Sequence, residues 1–272
     1  MEGDYREHTL QGHVYVEQPS KEHLVEPGVW SVEKFEKHLA AAKEIPYAEL
    51  PREIWLDGKW HNLINDLTTK TAKDGNEWGT NLVCIDRQVQ NPRRVSLPFD
   101  YQDHFQMWWG DKENPIFLTE PKRGTPIGAE SSTTPSVITW QDQEVATRRV
   151  GFVHTHPSSG AFSVGDMLWI TSDHTQKTLV AATNDYNFTF LKTADQPVLS
   201  SANKEHAESV AYGYAQEKTG QPNWKHRYLG IKDTKHEQRW FQAIFELSHE
   251  FCKTYKVGLY GGMPGKPLTR LV

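Results

Sequence analysis

A strand that has to end and a helix that has to begin fall within one short run, VGFVHTHPSSGAFSVGD, residues 150–166. The segment from Val150 to His154 has the apolar, β-branched and aromatic make-up of a buried strand. Pro157 has no N–H to offer a ladder, so the strand stops there. Residues 158–162 read as a small turn. Ser163 sits where a helix N-cap belongs and Asp166 falls in the first turn of the helix SVGDMLWITSDH. Strand side chains alternate, so His154 and His156 point to one face and Thr155 to the other.

Two chemistries fit these residues. Ser163 and Asp166 form a near capping box, which needs no metal, and two half-buried histidines can satisfy each other by hydrogen bonding. Alternatively, two neutral imidazoles on one face can hold one Zn²⁺ at about 2.0–2.1 Å. The loop then folds the helix N-terminus back toward the strand end and brings a third ligand near them. Three protein ligands with an open fourth position are the arrangement of a catalytic zinc rather than a structural one.

The rest of the chain reads as mixed secondary structure. SVEKFEKHLAAAKE, from Ser31, has a Ser cap and good helix formers. WHNLINDLTTKTAKDG places Leu63, Ile64 and Leu67 on one helical face and ends at Asp74-Gly75. NLVCID, from Asn81, is a short apolar strand, and KTLVAATNDYNFTFLK is a β-hairpin turning at Asn184-Asp185. ANKEHAESVAYGYAQEKTG and HEQRWFQAIFELSHEFCKTY are two further helices, and GLYGGMPGKP, from Gly258, is a turn-rich end. Residues 1–30 read as a polar arm or edge strand around HVYVE. Residues 90–140 are rich in Pro, Gly and Ser and read as an irregular insertion, which in a compact domain is usually functional. Its aromatic knot, Phe105, Trp108 and Trp109, is either a substrate clamp formed by Trp108 and Trp109 or a cluster that holds the loop down.

Composition narrows the function classes. The chain has 272 residues and a formal net charge of -5, which gives no electrostatic case for nucleic acid or an anionic membrane. The two cysteines, Cys84 and Cys252, make no CxxC pair, so a disulfide framework is not expected and a reducing compartment is the default. The first twenty residues have no apolar core of a secretory signal, and no stretch approaches eighteen apolar residues. The expectation is a cytoplasmic protein without a membrane span, with export that needs no cleaved signal left open. HExxH is absent, as is the HxE with PCxxC of a zinc deaminase. His174, at the end of the helix after Asp166, reads as a dipole partner rather than a fourth ligand.

The run HTHP, then Ser163, then two residues, then Asp166 resembles the signature of the JAMM (MPN+, JAB/Mov34-type) zinc metallopeptidases, H-x-H-P followed by S-x-x-D with a Glu upstream. Five residues separate Pro157 from Ser163, where that family usually has six. The resemblance covers roughly residues 55–200. It implies an α/β fold of the MPN, cytidine-deaminase-like kind, a mixed β-sheet flanked by helices, with N-terminal and C-terminal helical additions. The corresponding division is an N-terminal arm and helix over 1–54, a catalytic domain over 55–200 with the insertion at about 90–140, and a C-terminal helical extension over 201–272. The resemblance implies His154, His156 and Asp166 as zinc ligands and Ser163 as a donor to the activated water or the developing oxyanion.

The family also needs a Glu general base that follows a helix and opens a strand with a glycine close behind. Glu77, with Gly79 and NLVCID after it, has that layout; Glu113, Glu120, Glu130 and Glu144 are its rivals. The implied activity is hydrolysis of an isopeptide or peptide bond by metal-activated water. The implied partner is a protein or peptide substrate, such as a ubiquitin-like conjugate. A non-catalytic MPN-like scaffold and a delivered toxin or effector with the same hydrolase chemistry are the competing functions.

Overall fold

The computed structural model describes residues 16–17, 19–89, 113, 115–125, 128–130, 137–157, 162–173, 175–197, 199 and 234–272, a few positions between 205 and 217, and the backbone of 105–109; the side chains of 234–241 lie outside the description. The alternating piece HVYVE and His174 therefore fall wholly or largely outside the described residues.

Helix α1 is a single turn, Lys21–Leu24; α2 is Val32–Ala40, α3 Gly58–Asp74, α4 Val164–Ser172 and α5 Thr234–Tyr255. The strands are β1 Val29–Trp30, β2 Glu53–Ile54, β3 Trp78–Ile85, β4 Phe105–Trp109, β5 Ile116–Thr119, β6 Lys122–Arg123, β7 Val137–Trp140, β8 Gln143–Thr155, β9 Thr178–Ala182, β10 Asn187–Leu191, β11 Gly258–Gly262 and β12 Leu268–Arg270. They form one mixed sheet in the order β1-β2-β12-β11-β10-β9-β8-β3-β5-β4, with β6 on β3 and β7 on β8. The pairs β1–β2 and β8–β9 are parallel and the others antiparallel.

The local chemistry explains the helices. Ser31 caps α2 by accepting from the Lys34 N–H. Asp57 caps α3 by accepting from Lys59 and Trp60, and Gly75 closes it at φ 70°, a left-handed position that suits glycine. One core packs α2 and α3, through Phe35, Leu39, Trp60, Ile64 and Leu67, on one sheet face against Val153, Val180, Ala182 and Tyr260. A second packs α4 and α5, through Met167, Ile170, Ile244, Leu247 and Phe251, on the other face against Phe152, Leu179, Phe190 and Leu259. The sheet is thus flanked by helices on both faces, in agreement with the expected α/β class.

Two features differ from the sequence expectations. The turn-rich GLYGGMPGKP is a β-hairpin: β11 pairs with β10, and β12 pairs with β11 and β2. Its glycines serve close approach. A Cβ on Gly258 would lie 2.7 Å from Leu50 Cδ1, and one on Gly262 would run into the Pro267 carbonyl oxygen. Second, the segment 90–140 supplies β4, β5, β6 and β7, so it extends the sheet rather than standing off it. The sheet also takes in β2 from the N-terminal part of the chain and β11 and β12 from the C-terminal part. Within the helix expected near 202–219, the described positions 205, 206, 209, 213 and 217 are all helical. No helix among the described residues is long and apolar enough to cross a membrane.

Candidate metal centre

The crossover β8–α4–β9 makes the site. Two parallel strands need a long connection, and α4 provides it. The carboxyl end of β8 and the amino end of α4 therefore meet at the strand ends, the usual place for ligands in open α/β sheets. Phe162, just before the cap, stacks on Phe190 at 3.6 Å and pins the returning chain. Behind α4, α5 contributes Ile244, Leu247 and Phe251 to the same core and holds the helix on the sheet.

His154 and His156 point to one face, as alternation requires. Their Nε2 atoms are 3.0 Å apart. Asp166 lies against both: Oδ1 is 3.2 Å from His154 Nε2 and Oδ2 is 3.5 Å from His156 Nε2. Ser163 and Asp166 also form a full capping box. Asp166 Oδ2 accepts from the Ser163 N–H and the Ser163 Oγ–H, each at 2.7 Å, and the Asp166 N–H donates to Ser163 Oγ at 3.2 Å. The two readings of S-x-x-D thus coexist: the cap is what aims the carboxylate at the imidazoles.

Glu77 reaches the same place through register. Strands β3 and β8 are antiparallel, with Gly79 opposite His154. Continued two residues further, past the strand ends, that register brings Glu77 level with His156 and on the same face. Its carboxylate and the two imidazoles offer donor atoms all within 4.8 Å of one another, so the group can hold a metal ion. Backbone bonds fix the position: the Glu77 N–H donates to Thr125 O at 3.0 Å, and the Gly124 N–H donates to Glu77 O at 2.8 Å. Among the rivals, Glu144 lies near the start of β8, ten residues from His154 and on the order of 30 Å along the strand. Glu113, Glu120 and Glu130 are exposed and belong to no metal-capable group among the described residues.

The site is buried: His154 is 2% exposed, Glu77 8% and Asp166 9%. Burial pushes the Glu77 carboxyl above its ordinary range, opposed by His156, His154 and a backbone hydrogen bond from Ala129. Burial also acts to raise Asp166, but the two imidazoles prevail and hold it well below the usual carboxylate range.

Trp108 and Trp109 lie in β4, opposite Phe117 and Ile116 at the sheet edge, three strands from β8. Their side chains lie outside the described residues. Sequence reasoning missed two parts of the site. One is Thr155, whose hydroxyl accepts from the Trp78 N–H at 2.9 Å and bonds the Thr71 hydroxyl, so it ties α3 and the start of β3 to β8. The other is Gly124 and Thr125, whose backbone groups hold Glu77; Gly124 marks the place, since a Cβ there would run into the Gly128 carbonyl oxygen. No protein-family model matches the chain, and no curated protein or solved structure matches it.

Proposed function

We propose that the chain is a zinc-dependent amide hydrolase of the JAMM (MPN+) kind, with an MPN-like fold and a protein or peptide substrate joined through an isopeptide or peptide bond. The observation that carries this reading is the donor spacing. Donors about 2.0–2.1 Å from a tetrahedral ion lie roughly 3.4 Å apart. His154 Nε2 and His156 Nε2 are 3.0 Å apart, and the Asp166 carboxylate meets the first through Oδ1 at 3.2 Å and the second through Oδ2 at 3.5 Å, so all three side chains converge at about that spacing. Two imidazoles and a carboxylate are also a donor set that suits zinc.

His154, His156 and Asp166 would hold the ion. When bound, it supplies Lewis acidity that lowers the pKa of water toward neutrality and polarises a carbonyl. Glu77, on the same face, takes a proton from the attacking water and returns it to the departing amine nitrogen, so that amide and water become carboxylic acid and amine. Burial holds the Glu77 carboxyl above its ordinary range, which favours its action as a proton acceptor and donor, and a bound dication would act against that rise. Ser163 acts first by fixing Asp166. Its hydroxyl proton is already donated to Asp166 Oδ2, so it reaches a developing oxyanion only by leaving that partner.

The test is elemental analysis of the wild type and of His154→Ala/His156→Ala. The expected result is about one zinc per chain in the wild type and none in the variant. A wild type that takes up no zinc on reconstitution, with an unchanged fold in the variant, would leave Asp166 as a helix cap and the histidines as a hydrogen-bonded pair.

A further inference from the structure

A histidine that ligates a metal usually donates its other ring N–H to a carbonyl, carboxylate or water, and that bond sets the plane of the ring. His154 departs from this pattern. Its Nε2 faces His156 and Asp166. Its Nδ1 is buried and has no hydrogen-bond partner among the described residues. Another contact has to set the ring's orientation.

That contact is Phe152. It stands two residues earlier on β8 and so on the same face. Its ring lies nearly parallel to the His154 imidazole, with planes 13° apart and centroids 5.4 Å apart. Trp169 of α4 meets Phe152 edge-on at 4.8 Å and 61°. On the other strand the ring occupies the space above Gly79. A Cβ there would come within 2.8 Å of Phe152 Cε2 and closer still to Cζ. Trp169 is held in turn by the Arg149 guanidinium, 4.9 Å from its ring, and Arg149 pairs with Asp173 at the end of the same helix. The shelf is thus built from β3, β8 and α4, the elements that carry or directly adjoin Glu77, the histidines and Asp166.

We propose that Phe152 is a positioning residue for the metal centre: its ring, admitted by the absence of a side chain at Gly79 and clamped by Trp169, holds the His154 imidazole with Nε2 toward the site, in the role a second hydrogen bond usually has. The inference rests on the metal reading of the site. It also explains the glycine two residues after Glu77, which the strand itself does not require. A flat apolar shelf orients the imidazole without adding negative charge behind it, so it does not raise the ligand's basicity as a carboxylate partner would.

The experiment compares the wild type with Phe152→Met, which keeps apolar volume but not the flat ring, and Phe152→Tyr, which keeps the ring. Gly79→Ala, which displaces the ring from the other strand, completes the set. Zn²⁺ affinity is read by competition with a chromophoric chelator, Co²⁺ coordination by its visible absorption, and folding of the metal-free proteins by thermal melting. The expected result is a loss of Zn²⁺ affinity of roughly ten-fold or more in Phe152→Met and Gly79→Ala, with a changed Co²⁺ spectrum and a cooperative melt, and near wild-type behaviour in Phe152→Tyr. If Phe152→Met does not fold, Gly79→Ala gives the same readout. Wild-type affinity and an unchanged Co²⁺ spectrum in either folded variant overturn the shelf and leave the metal reading intact. A wild type that binds neither Zn²⁺ nor Co²⁺, like His154→Ala/His156→Ala, removes the metal reading and this inference with it.

Discussion

Asp166→Asn separates the two roles that one carboxylate combines. Asp166 Oδ2 accepts both the N–H and the Oγ–H of Ser163, while its two oxygens face His154 and His156 at 3.2 and 3.5 Å. Asparagine has a single acceptor oxygen. If that oxygen faces Ser163, the cap survives and the amide nitrogen turns toward His154. If it faces the imidazoles, the Ser163 N–H loses its partner. The first arrangement is favoured, because an amide N–H can donate to a neutral imidazole nitrogen whereas an orphaned backbone N–H gains nothing. Without metal, the variant should therefore lie within about 1 kcal/mol of wild type, the size of a cap contribution. With zinc at a hundred times the wild-type Kd, ligand linkage stabilises the wild type by about 2.7 kcal/mol. The amide nitrogen cannot ligate, so affinity falls at least as far as the roughly 10–100-fold known for outer-shell partners, and at the upper figure the linked gain drops to about 0.4 kcal/mol. The assay is urea unfolding followed by tryptophan fluorescence, in chelator and in excess zinc. An equal zinc-dependent shift in both proteins would refute Asp166 as a ligand. A loss of several kcal/mol in chelator, with no zinc effect on the wild type, would make it a structural residue.

Glu77→Gln should retain zinc and lose hydrolysis of isopeptide- or peptide-linked substrates by roughly 10²–10⁴-fold; unchanged turnover excludes it as the base, and a loss of zinc by elemental analysis makes it a ligand. Thr155→Val should cost about 1–3 kcal/mol in urea unfolding, because the Trp78 N–H and the Thr71 hydroxyl lose their shared partner; an unchanged midpoint would mean the tie contributes nothing. His38 gives a pH prediction: burial, aided by the charge of Lys177, lowers it from 6.5 to about 4. The unfolded chain then binds more protons than the native one across that window, so stability is full above about pH 6.5 and falls by up to roughly 3 kcal/mol as pH drops toward 4. His38→Phe, which keeps a ring against Trp30, should flatten that limb in urea titrations from pH 7 to pH 4; an unaltered slope assigns it to other groups.

The strand, turn and capped helix over 150–166 were legible because each boundary has a local cause. Pro157 ends a ladder, Ser163 accepts from the first turn, and alternation alone puts two imidazoles on one face. Helices α2 and α3 and the β9–β10 hairpin were legible for the same reason. What escaped depends on distant partners. Gly258, Gly261 and Gly262 read as turn residues because their strand role appears only when Leu50, Tyr186 and Pro267 pack against them. Strands of two to five residues between prolines and glycines, as in β4, β5 and β6, leave no periodicity to read. Glu77 was identifiable as a Glu that follows a helix and opens a strand, but the sum of positions that sets it opposite His156 belongs to the pairing, which no single segment encodes.

That pairing also gives a purpose to the residue between the two histidines. On a strand, the side chain between two that face a site must face away from it. Thr155 does so, and from the rear face its hydroxyl bonds the Trp78 N–H and the Thr71 hydroxyl. Trp78 follows Glu77 directly, so the bond that secures it also limits where the Glu77 carboxylate can go. The other side of Glu77 is closed by backbone bonds to Gly124 and Thr125. A valine at 155 would preserve the strand and both imidazoles, yet release one of the two clamps on the carboxylate. Metal binding and hydrolysis should therefore part company in Thr155→Val. The proposed ligands sit at the end of β8 and in α4, which the substitution leaves in place, whereas the proposed base directly precedes β3, whose start it loosens.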